Sequence, residues 1–177
     1  MNKKLLILMM AFCAFSFAQK KASWSEIDKL TVNPSEKIRR STLPTEYKLF
    51  KFDYESFIQK LVNVPQRDTF TGVSDVVVAI PHPNGELVEY RILEASTFEP
   101  SLQEKFSEIR SFVGQSVKGT GDVIRFSVSP YNGLSAMVRS VESEDTFFID
   151  PFSLDYKTVI VFEKSKSSKE AGFICST

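Results

Sequence analysis

The chain has 177 residues with 22 basic and 22 acidic side chains, a balance that excludes a protein whose affinity rests on neutralising nucleic-acid phosphates. Its 42% apolar composition fits one ordinary domain with a sizeable core. Two cysteines, only one of which survives the processing expected below, exclude a disulfide-stapled scaffold.

Residues 1–18 read as a signal peptide. Asn2-Lys3-Lys4 is a short basic start, Leu5 to Phe17 is an apolar run, and Ser16-Phe17-Ala18 offers small residues where a signal peptidase reads, which predicts cleavage after Ala18. The apolar run is short of the roughly 20 residues that a membrane-spanning helix needs. The bulky Phe12 before Cys13 is wrong for lipid attachment. Losing Lys3 and Lys4 leaves 20 basic against 22 acidic side chains. The expected destination is the periplasm or the medium, with no membrane partner after cleavage.

Residues 19–42 are polar and irregular, with Trp24, Ile27, Leu30 and Val32 as apolar points, and predict an extended or weakly helical lead-in. Arg39-Arg40 is open to two readings, a processing site or a solvated basic patch. A domain is expected over 43–163. Glu46 to Phe52 reads as a strand, and Asp53 stands where a helix N-cap belongs, ahead of Ser56, Phe57, Ile58 and Leu61 at helical spacing up to Val64-Pro65. Two apolar runs flank the turn-forming Pro81-His82-Pro83-Asn84-Gly85, and in the second Val88, Tyr90 and Ile92 alternate with Glu89 and Arg91, so a β-hairpin is predicted there.

Pro100 fits the first turn of a second helix, with Phe98, Leu102, Phe106 and Ile109 spaced as one face. Strands follow over SFVGQSV and DVIRFSVSP, then after Tyr131-Asn132-Gly133 over Leu134, Ala136 and Val138, then over Thr146 to Ile149. Thr158 to Phe162, apolar on both faces, reads as an inner strand, and 164–177 as a flexible solvated tail. The predicted fold class is α+β: a mostly antiparallel sheet with two helices packed on it, in a single domain.

Residues suited to chemistry are few, and no catalytic residue or cofactor is expected. His82 is the only histidine and lies in a proline-rich turn, while a catalytic zinc site usually draws on two or more histidines. No G-x-S-x-G elbow occurs, and Gly114, Gly119 and Gly121 form no phosphate-binding loop and read as turn residues. Glu142, Glu144 and Asp145 lack the spacing of a known calcium loop and read as a solvated hairpin tip. Cys175 has two readings: an unpaired thiol near the terminus, or a thiolate able to occupy the open position of a zinc held by another domain.

The ordered set VVVAIPHPNGELVEYRILEASTFEPSLQEKFSEIRSFVGQSV, VIRFSVSPYNGLSAMVRS, TFFIDP and VIVFEK resembles the N-terminal prodomain of secreted reprolysin-like (adamalysin-type) zinc metalloproteases of flavobacteria and their relatives. The resemblance covers about residues 43 to 175, with Ser107-Glu108-Ile109 and Phe112-Val113-Gly114 standing where that family has proline and tyrosine forms. It implies a prodomain that precedes a zinc catalytic domain, assists its folding, keeps it inactive and is cut away. The partner implied is that catalytic domain, and Cys175 is the possible zinc ligand in trans, although Phe173 to Thr177 lacks the proline, lysine and glycine of the family's switch. The chain is read as a fragment, a truncated product or a free-standing relative. A second reading, from the 16 Phe and 5 Tyr residues and the sheet edges, is a periplasmic or surface binding module for a protein or a glycan.

Overall fold

A computed structural model describes residues 23–40, 43–141 and 145–167. Nine strands form one antiparallel sheet: β1 (Trp24–Ile27), β2 (Lys48–Phe52), β3 (Val77–Pro81), β4 (Leu87–Glu94), β5 (Arg110–Ser116), β6 (Val123–Ser129), β7 (Gly133–Arg139), β8 (Thr146–Pro151) and β9 (Thr158–Glu163). Their order across the sheet is β1-β2-β9-β8-β7-β6-β5-β4-β3, so β3 through β9 make an up-and-down meander whose last strand pairs with β2. The sheet curls until its edges meet. The indole N–H of Trp24 on β1 donates to the carbonyl of Ala79 on β3 at 2.6 Å, which joins the two edge strands by a side chain and leaves a nearly closed barrel.

The inward face explains the curl. Strands β4 and β6 alternate exposed and buried residues along almost their whole length, and their buried residues (Val88, Tyr90, Ile92; Ile124, Phe126, Val128) belong to one core with Phe50, Val78, Val138, Ile149 and Val161 from other strands. A one-residue slip would turn each of these sets out to water, so burial fixes the register. Gly114 on β5 lies between the inward Ile92 and Ile124, where an added Cβ would come within 2.8 Å of the Arg91 carbonyl and the Ile92 side chain. It is therefore a packing residue of a tightly curved strand, whereas Gly119 and Gly121 do lie in the β5–β6 turn with positive φ.

The expected α+β layer arrangement is not what forms. Among the described residues the two α-helices are short, α1 (Tyr54–Leu61) and α2 (Pro100–Lys105), and no helical layer covers the sheet. Asp53 does cap α1, accepting from the Ser56 N–H at 3.1 Å, and Phe57 and Leu61 are driven into the core. Phe57 meets Trp24, Phe52 and Phe126 edge-on, so α1 fills one mouth of the barrel instead of lying on a face. Burial of such a ring stabilises by about 1.5–3 kcal/mol. Helix α2 buries none of its residues and stops because Phe106 leaves helical geometry at φ −125°, ψ 53°, its carbonyl then accepting from Ile109 as the chain turns into β5. A sheet that closes on its own inner side chains buries its main apolar face without a helix layer to cover it.

The fold also reaches back into the lead-in. Trp24–Ile27 is a sheet strand, and the backbone of residues 36–38 bonds to the β8–β9 connection through Ile38 N–H to Phe152 O and Leu154 N–H to Glu36 O. Val32 from this segment packs with Leu49, Ile160, Phe162 and Phe152 in a second cluster on the outer side of β2, β9 and β8. That cover accounts for the burial of β9 on both faces.

Candidate functional site

The mouth opposite α1 carries the lone histidine. The β3–β4 loop is closed by His82 N–H to Glu86 O, Gly85 N–H to His82 O and the Asn84 side chain accepting from Glu86 N–H. Gly85 has φ 96°, a left-handed backbone that favours glycine where the loop crosses the barrel's seam, and a Cβ there would displace the flexible ends of Lys48 and Glu26. His82 Nε2 lies 2.8 Å from the Tyr90 hydroxyl, and its ring sits 4.5 Å from that of Phe147 on the far strand β8. The turn expected from sequence is present, but its histidine bends inward and closes the mouth.

Burial lowers the pKa of His82, and Lys118 adds to this, while the carboxylates of Asp122 and Glu86 oppose it. Burial first, and then the charge of Asp122, raise that of Tyr90. Both shifts favour a neutral pair, a protonated tyrosine beside a neutral imidazole, joined by one hydrogen bond. In the unfolded chain His82 has an ordinary pKa near 6.5 and takes up a proton before the folded chain does, so its contribution to stability is complete above about pH 7 and is lost as the pH falls through that value. The melting temperature should therefore drop between about pH 7.5 and 5.5, and His82→Gln should flatten this dependence. An unchanged slope in the variant would remove His82 as its source.

Beside the plug lies a cleft of about 380 Å³ lined by His82, Lys118, Asp122, Asp145 and Glu163. Its two aspartates are engaged: Asp122 accepts from the Val141 N–H at 2.8 Å, and Asp145 accepts from the Thr146 N–H and the Ser165 hydroxyl. The Ser165 hydrogen bond is the largest cause holding the Asp145 carboxyl below the usual range. Glu142 and Glu144 of the expected acidic tip lie outside the described residues. Among the described residues no group of three or more His, Cys, Asp or Glu side chains is arranged to hold a metal ion, and no helix is long and apolar enough to cross a membrane. A larger recess of about 1000 Å³ opens at the other end, between Trp24, Tyr54, Pro130 and Tyr156.

The remaining sequence candidates are spread apart. Arg40 donates to the Pro151 carbonyl at 2.7 Å and pairs with Asp150 at 3.5 Å, so it clamps the lead-in to the end of β8. Cys175 and the signal peptide lie outside the described residues, but the start of the expected tail does not. Lys164–Lys166 is a single 3₁₀ turn held beside the His82 mouth by Thr45 N–H to Lys166 O, by the Lys166–Glu46 pair at 2.9 Å and by Ser165 to Asp145. Sequence reasoning did not single out the Glu94–Arg110 pair. Its signal was present: Glu94 continues the inward row of Val88, Tyr90 and Ile92, where a carboxylate demands a cation. The chain matches no family model, no curated protein and no solved structure.

Proposed function

We propose that this chain is an exported, non-catalytic, prodomain-like module that assists folding of a reprolysin-like zinc metalloprotease and inhibits it, with the Cys175 thiolate offered to the catalytic zinc in trans. The observation that carries the reading is where the resembling motifs fall. Pro81-His82-Pro83-Asn84-Gly85 forms the loop that crosses the seam, Phe126 to Pro130 ends β6, and Ile149-Asp150-Pro151 ends β8 under the Arg40 clamp. Each is a turning point of one sheet, so the ordered set acts as a determinant of fold, and a chain sharing it would share this scaffold.

The filled interior supports the same reading, because a barrel packed with its own side chains works through its outside and through segments attached to it. Cys175 is eight residues beyond Ser167, and eight residues span at most about 29 Å. The thiol is thus tethered within that radius of a point fastened beside the His82 mouth.

The test is inhibition. At micromolar concentration the chain without residues 1–18 should slow cleavage of a fluorogenic peptide by a reprolysin-like catalytic domain at least about tenfold, and Cys175→Ser should lose most of that effect. Absence of both binding and inhibition at micromolar concentrations would sink the proposal. The alternative of a periplasmic or surface binding module draws on one observation, a basic cleft on the outer face of the barrel.

A further inference from the structure

The outside of the barrel is unevenly covered. Over β2, β9 and β8 the lead-in lies on the apolar residues, but over β4 to β7 the described residues supply only the Gly72–Ser74 stretch at one side, and Val123 and Met137 stand about two-fifths exposed. The charges on this bare half are lopsided in a chain whose totals balance. Outward side chains of β4 to β7 include Arg91, Arg125 and Arg139, with Glu89 as the one carboxylate. No ion pair among the described residues engages Arg67, Arg91 or Arg125.

These three arginines line one cleft of about 420 Å³. Its wall is the Gly72–Ser74 stretch between α1 and β3, and its floor is Leu93, Val113 and Val123. Strand register sets the pattern. Leu93 pairs with Val113 and Val113 with Arg125, while Arg91 pairs with Gln115 and Gln115 with Val123. The floor is therefore two adjacent rows of three, with arginines at opposite corners, Leu93 and Val123 at the other two, and Val113 and Gln115 in the middle. Across two strand spacings and two residues of rise, these corners are about 12 Å apart at Cα.

The geometry points to this cleft as a docking site for an extended acidic segment of a protein partner, one with carboxylates four residues apart and an apolar residue midway. On an extended strand such carboxylates lie about 13 Å apart and on the same side, as does the residue between them. Each can meet a guanidinium as a two-pronged, charge-assisted pair, while the central side chain comes down on Val113 and the aliphatic stem of Gln115 at the middle of the floor. Arginine mixed with apolar residues is the composition of protein interfaces. A sugar chain would need aromatic platforms, and the outward positions of β4 to β7 hold none. The inference rests on the reading of this chain as a module that acts on another protein.

Fluorescence anisotropy with the chain lacking residues 1–18 tests it, using a fluorescein-labelled peptide that contains Glu-Thr-Val-Thr-Glu. The expected result is salt-sensitive binding, weakened at least about tenfold by Arg91→Glu with Arg125→Glu and by changing the peptide's two Glu to Gln. An equal charge change elsewhere, Lys51→Glu with Lys105→Glu, should leave it intact, with all variants melting as the parent does. No peptide binding overturns the inference, as does tighter, arginine-dependent binding of a labelled sulfated oligosaccharide. Protease inhibition without peptide binding also overturns the cleft while leaving the inhibitory reading intact. Arginine-dependent peptide binding with no inhibition keeps the cleft and removes that reading.

Discussion

Replacing Trp24 with alanine should lower the free energy of unfolding by about 3–5 kcal/mol, the largest loss expected from any residue of the lead-in. The indole is 5% exposed, stacks on Phe52 with centroids 4.6 Å apart and meets Phe57 edge-on at 5.7 Å. Truncation would leave a void between the sheet and α1, and a rigid neighbouring strand could not close it. The indole N–H also makes the side-chain link between β1 and β3. Trp24→Phe keeps most of the packing and loses that hydrogen bond, which should cost about 1–2 kcal/mol. Urea denaturation of both variants separates the two contributions. A loss below about 1 kcal/mol in the alanine variant would mean that β1 is not part of the cooperative fold. Amide exchange along β3 gives an independent check, since opening of the seam in Trp24→Phe should speed exchange at Ala79 and Ile80 more than in β6.

The weight carried by Trp24 was hidden from sequence for a physical reason. A four-residue strand in which Trp24 shares its face with Glu26 shows no apolar alternation, and its reward comes from Ala79, 55 residues away. Local signals did better: the Asp53 cap, the loop at 82–86 and the alternation of β4 and β6 are all read from neighbouring residues. Phe98, Leu102, Phe106 and Ile109 misled because helical spacing does not require a continuous helix. Phe106 breaks the geometry, and its carbonyl takes the Ile109 N–H in a turn. The closure that removed the helix layer depends on the curl of the whole sheet, which no window of the sequence contains. Arg91 and Arg125 could be assigned to a wet face, but not to a cleft, because its wall comes from the 72–74 stretch folding over the strands.

Breaking the Glu94–Arg110 pair should have the other large effect, and its parts should be strongly non-additive. Arg110 donates from Nε to Glu94 Oε1 at 2.8 Å and from Nη2 to Oε2 at 2.6 Å, and Nη2 also reaches the Leu61 carbonyl at the end of α1 at 3.1 Å. One guanidinium thus ties β4, β5 and the plugging helix together. Arg110→Ala strands a carboxylate that is 8% exposed and also orphans the helix carbonyl, so it should cost about 3–4 kcal/mol. Glu94→Ala should cost less, about 2–3 kcal/mol, because the guanidinium keeps the Leu61 carbonyl and is about one-fifth exposed. The double variant Glu94→Leu with Arg110→Met removes both charges and fills the space with apolar groups. Burying two charges costs desolvation that their attraction only partly offsets, so this variant should recover to within about 1–2 kcal/mol of the parent. A double-mutant cycle by chemical denaturation reads the coupling directly. A double variant as unstable as the sum of the single ones would mean that the two side chains act independently, and that α1 is held in the mouth by Phe57 and Leu61 alone.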